Sequence, residues 1–134
     1  MAERLLVVAA LAALVLVGWL LLRAGQRRRL QALADARPFA ALVPAGRPAI
    51  VAFSLPSCVE CRVRQAPALG RLRAQLASAA HVTTLSAEDH PALVAQLGIL
   101  TVPATLVLDT KGTVRFLNQG FADEARLLRQ LELL

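Results

Sequence analysis

Apolar positions along the chain fall into one long run and several short ones. The long run, Leu5 to Leu22 (LLVVAALAALVLVGWLLL), is uncharged and free of proline, with Arg4 and Arg23 at its ends. As a helix it spans about 27 Å, just enough for a bilayer's hydrocarbon core. It therefore predicts a transmembrane helix over 5–22 after a short tail at 1–4, with Trp19 near one interface. The run exceeds a usual signal-peptide core, and Arg23-Ala24-Gly25-Gln26-Arg27 offers no small-x-small cleavage site, so an uncleaved anchor is preferred over a signal peptide. Helix formers continue from Arg23 to Ala36 with Leu30 and Leu33 on one face. This predicts a basic stalk over 23–37 that ends before Pro38.

From residue 38 to 134 the runs are short and change period. Pro38 to Val43 reads as a short helix with proline in its first turn, and Pro44 and Gly46 turn the chain into a strand at Ala49–Ser54. That strand is apolar without alternation, as expected of a strand covered on both faces. Pro56 ends it, and a helix begins at Cys58–Cys61. Pro67 must kink this helix; Val63, Leu69, Leu72 and Leu76 form its predicted buried stripe, and its end is expected near Ala79. His81 to Leu85 is a strand and Ser86 to His90 a polar turn. A helix opened by Pro91 carries Leu93, Val94 and Leu97 and stops at Gly98. Pro103 stands immediately before the next strand, which reaches Leu108, and a cis bond there is one way to turn the backbone. Asp109 to Gly112 is a turn into a returning strand at Thr113–Gln119. The last helix, Ala122 to Leu133, repeats Leu127, Leu128 and Leu131 at helical spacing. The order β, α, β, α, β, β, α predicts an α/β domain over 38–134, a mixed sheet with helices on both faces.

Charge changes the picture little. Of the formal +6, residues 1–37 carry six Arg against two acids, while residues 38–134 carry nine Lys and Arg against seven acids. The excess flanks the membrane run, where Arg27-Arg28-Arg29 suits lipid headgroups and topology better than nucleic-acid phosphates. The chain has no Tyr, so a base-stacking platform is also lacking, and no nucleic-acid partner is expected.

The chemistry lies in Ser57-Cys58-Val59-Glu60-Cys61-Arg62, which holds both cysteines of the chain. A cysteine at a helix start meets unpaired amides and the positive end of the dipole, which can lower a thiol pKa from about 8.5 to about 3.5–7.5. A second cysteine one turn on can close a disulfide. Three other readings compete. Structural zinc wants four ligands and only His81 and His90 remain, neither at paired spacing, so they read as edge or loop residues and no metal site is assigned. Linear Cu(I) held or transferred by the two thiolates is the metal alternative. The others are an inert buried pair and a redox fold kept only for binding.

Strand, Cys58-Val59-Glu60-Cys61, helix, Pro67 and then Val102-Pro103-Ala104-Thr105, with Gly98-Ile99 and the Asp109…Gly112 hairpin, together resemble the thioredoxin family over 38–134. Among its members the chain is most similar to membrane-anchored ones, such as the proteins related to cytochrome c maturation factors and the methylamine dehydrogenase accessory protein. The resemblance implies a thioredoxin-like fold, Cys58 as attacking thiol, Cys61 as resolving thiol and Pro103 as a cis-proline facing the disulfide. It also implies substrate pairing along the backbone of Val102 and Ala104, and no cofactor. Its partners would be disulfide-bearing proteins and an upstream protein electron donor, with the bilayer holding residues 5–22. The chain departs from the family at Ser57, where an aromatic is frequent, at Val59-Glu60 between the cysteines, and at Ala52, where cytosolic thioredoxins bury an acid. Glu60 and Arg62 are candidate modulators of the pair, Glu60 by disfavouring a neighbouring thiolate and Arg62 by opposing it. Basic residues cluster on the carboxyl side of the anchor, which favours a domain facing the cytoplasm; the anchored relatives favour the extracytoplasmic side.

Overall fold

The computed structural model describes the backbone of residues 1–134 and the side chains of residues 1–32 and 37–134. The chain divides into two compact units, Met1–Ala32 and Leu33–Leu134. In the first, α1 (Ala2–Ala36) is one unbroken helix that runs on into the second unit, so the predicted span and stalk are a single element. Over Ala2–Ala32 it is long and apolar enough to cross a membrane. Its apolar side chains face outward, Leu14 at 68% and Val15 at 72% exposure. The Arg23 guanidinium lies 4.6 Å from the Trp19 ring centroid one turn back, a cation–π contact within the helix. Leu33, half of the expected stalk stripe, lies outside the described side chains.

The second unit is a mixed α/β domain. Its sheet contains β1 (Ala49–Ser54), β2 (His81–Ser86), β3 (Ala104–Leu108) and β4 (Val114–Gln119) in the order β2-β1-β3-β4. β2 runs parallel to β1, whereas β3 is antiparallel to both β1 and β4. A parallel pair needs a long crossover, and α2 (Ala66–Leu76) supplies it. β1 is apolar throughout because both its faces are covered. Ala49, Val51 and Phe53 join Phe39, Leu97 and Leu106 in one core, and Ile50 and Ala52 join Leu72, Val107 and Leu127 in the other. Thus α3 (Pro91–Leu97) packs on the first face, and α2 and α4 (Glu124–Glu132) on the second.

Three expected elements differ in the structure. Residues 38–43 form turns, with one helical bond, Val43 N–H to Phe39 O. Pro38 lacks an amide hydrogen, Pro44 disfavours helix at Val43, and six residues are too few to offset nucleation. What fixes the segment is Phe39, whose ring centroid lies 6.4 Å from that of Phe53. The last helix begins at Glu124 because Asp123 caps it, accepting the Arg126 amide at 2.8 Å; Ala122 stays in the preceding loop. α2 stops at Leu76, since Ala77 turns to φ 47°. Gly112, at φ 81°, closes the β3–β4 turn, while Asp109 Oδ1 accepts the Lys111 and Thr113 amides.

Candidate functional site

The two cysteines sit where the chain leaves the central strand. After β1, Leu55-Pro56-Ser57 forms a turn closed by Cys58 N–H to Leu55 O at 3.1 Å. Cys58 and Cys61 are joined as a disulfide, their Cα atoms 5.3 Å apart. Val59 and Glu60 are helical, Cys61–Gln65 is a π-helical turn, and α2 follows. The π turn is the form the predicted kink takes. Pro67 has no amide to donate, and a wider turn ahead of it, with Ala66 N–H reaching back five residues to Cys61 O, absorbs the misfit.

The side chains of the turn divide between the core and solvent. Cys61 and Gln65 are buried, at 3% and 2% exposure, and Arg62, Val63 and Arg64 point to solvent. Val63, expected in the buried stripe, is therefore exposed, and the stripe is Cys61, Gln65, Ala68, Leu69 and Leu72. The disulfide is asymmetric in the same sense, with Cys58 half-buried and Cys61 buried. The Cys61 amide donates to Cys58 Sγ at 3.1 Å. That donor and the helix start both favour negative charge on Cys58 in a reduced pair.

Around the pair, Glu60 is exposed and accepts from Arg64 Nη1 at 3.2 Å. The Arg64 guanidinium also lies 4.1 Å from the Phe121 ring centroid. Arg62 Nη1 donates to Pro56 O at 3.1 Å, tying the helix back to the turn before Cys58. The Val102–Pro103 bond is cis. Because Phe53 pairs with Ala104, Cys58 and Pro103 leave the sheet at the same end. Pro103 and Ala104 are buried and Val102 half-buried, Ala104 being paired to both β1 and β4. A groove of about 340 Å³ opens at this end, lined by Leu55, Val94, Ile99, Leu100, Thr101 and Val102. His81 pairs with Ala49 at the opposite end of the sheet, and His90 precedes α3. Among the described residues, no cluster of three or more His, Cys, Asp or Glu side chains could hold a metal ion.

Sequence reasoning overlooked the buried polar groups. Gln65 Nε2 donates to Ala122 O and the Ala122 amide donates to Gln65 Oε1, both at 3.1 Å. A polar residue four positions after Cys61, and so inside the turn, was the available signal. On the second face of the sheet Asn118 Nδ2 donates to Thr105 Oγ1 at 3.1 Å, and Asn118 and Gln130 exchange two bonds at 2.8 Å. Thr105 is the cross-strand neighbour of Ala52, so hydroxyl and amide groups, with no carboxylate, occupy this part of the core. No family model matches the chain, and no curated protein matches it. With both thiols reduced, the arrangement offers one accessible, electrostatically favoured sulfur and one sheltered sulfur within bonding reach.

Proposed function

We propose that the chain is a membrane-anchored thiol-disulfide oxidoreductase of thioredoxin-like fold. The observation that carries this reading is the asymmetric Cys58–Cys61 disulfide at a helix start, with the Cys61 amide on Cys58 Sγ. The strand order β2-β1-β3-β4 and the placement of Pro103 at the end of the sheet where Cys58 emerges support it. Cys58 thiolate attacks a partner's disulfide and forms a mixed disulfide; Cys61 then attacks Cys58 and releases the reduced partner. Pro103 flanks the reacting pair, and an extended substrate segment pairs along the backbone of Val102; Ala104, expected to share this role, is committed to β1 and β4 on its two sides. Residues 5–22 anchor the protein, and the arginines on their carboxyl side hold the domain in the cytoplasm. The protein acts as a reductant, with a potential nearer about −270 mV than about −120 mV.

Insulin reduction tests the chemistry. The reduced protein should precipitate insulin chains and Cys58→Ser should abolish this, whereas copper retained through dialysis without reductase activity would reverse the reading. Cys61→Ser should hold substrates as mixed disulfides that mass spectrometry identifies. A fluorescent protein fused after Leu134 should fluoresce, and activity of a phosphatase fused there would place the domain outside.

A further inference from the structure

Gln65 is the one polar residue buried in the turn that carries Cys61. It is 2% exposed, and its amide makes a reciprocal pair of hydrogen bonds with the backbone of Ala122, which is itself 0% exposed. Such a pair satisfies donor and acceptor on both sides, so it is rigid and costly to break. The next residue outward, Arg64, stacks on Phe121. Adjacent side chains of the turn thus grip adjacent residues of the loop before α4, one inside and one outside. The π turn between Cys61 and Ala66 is the less regular part of this helix, and the grip falls on it.

We propose that Gln65 is a positioning residue that holds the Cys61 sulfur in place to attack Cys58, a role that rests on the redox function proposed above. In that step the Cys61 sulfur forms a bond to Cys58 Sγ as the bond from Cys58 to the partner sulfur breaks. The electron pair leaves on the partner sulfur, which takes up the proton lost by Cys61, so the cysteine pair is oxidised and the partner thiol is produced. Orientation governs the effective concentration of an internal nucleophile. Without the clamp the turn samples other geometries, and Cys61 spends less time in line with the mixed disulfide.

The full-length reduced protein in detergent is mixed with oxidised glutathione, acid-quenched and analysed by mass spectrometry. This separates formation of the Cys58–glutathione adduct from its resolution by Cys61. Gln65→Ala should form the adduct at the wild-type rate and resolve it about tenfold more slowly, a rate factor equal to about 1.4 kcal/mol. Asn118→Ala, which opens a buried polar network elsewhere, should lose stability and leave resolution unchanged. Gln65→Glu is the rescue: a protonated carboxyl keeps both bonds to Ala122 and an ionised one faces the Ala122 carbonyl. Its resolution rate relative to wild type at the same pH should therefore be near one in acid and fall as pH rises. Wild-type resolution in Gln65→Ala, or a pH-independent ratio in Gln65→Glu should the alanine variant not fold, overturns the positioning role alone. Absence of any adduct in the wild type overturns the redox reading and this role with it.

Discussion

The Leu5–Leu22 run of α1 and the strand β1 are both almost wholly apolar, and they use that character in opposite ways. In β1 the five residues Ala49 to Phe53 are each at most 1% exposed, covered by helices on one side and a helix and turn segment on the other. In α1 the apolar side chains of the span face outward all round the helix. A helix satisfies its own backbone bonds and can present every side chain to lipid, whereas a strand must find neighbours for its backbone and then covers for its faces. The same residue types therefore become outward-facing in one element and core in the other, and what distinguishes them in the sequence is length.

The largest test of that contrast is a pair of truncations. Phe53→Ala should cost the domain about 3–5 kcal/mol, the range for emptying a buried phenylalanine site, seen as a large fall in its denaturation midpoint. Leu14→Ala, a comparable deletion in α1, should leave that midpoint unchanged. If both shifted it equally, α1 would be part of the folded core. A charge at the same α1 position asks the converse question. Leu14→Arg should cost about 2.5–3.5 kcal/mol of insertion, lowering the carbonate-resistant membrane fraction while the domain's unfolding stays put.

Smaller again is Asp123→Ala. It removes the cap that accepts from Arg126 and should destabilise the domain by about 1 kcal/mol, with no effect on membrane retention. A loss well above this would mean that Asp123 also supports the Gln65–Ala122 clamp.

These magnitudes follow what the sequence made legible. Length identified α1, continuous apolarity identified β1 as central, and Gly98, Pro91 and the Asp109 turn bounded their elements because each acts through its own backbone. Cys58 and Cys61 were legible because their spacing is local. The π turn was not, since Pro67 says that a helix must deform and leaves open how. Helical spacing from Cys61 to Leu69 places Gln65 inside and Val63 in solvent, but a glutamine reads as a surface residue until its buried partner is known. The Gln65–Ala122 bonds join residues 57 apart in the chain, so nothing near either one announces the other. Residues 38–43 failed for a related reason: helix-favouring residues were present, but the segment is too short and too bracketed by proline to use them.

The smallest expected effect lies at the exposed edge of the site. Glu60 carries negative charge two residues from Cys58, and a negative neighbour disfavours a thiolate. The structure tempers this, because the carboxylate is solvent-exposed and already paired with Arg64. Exposed charge pairs interact by about 0.3–0.5 kcal/mol, and the repulsion between Glu60 and a Cys58 thiolate is taken at that size. At about 30 mV per 1.4 kcal/mol for a two-electron couple, Glu60→Gln should raise the potential by only about 5–10 mV in a glutathione titration. Arg64→Ala should lower it, since Glu60 is then left unpaired, and in the double variant the Arg64 effect should nearly vanish. High salt should shrink both shifts, as screening does for exposed charges. A shift of tens of millivolts from Glu60→Gln, insensitive to salt, would place that carboxylate against the sulfur in the reduced protein and make it part of the site's chemistry.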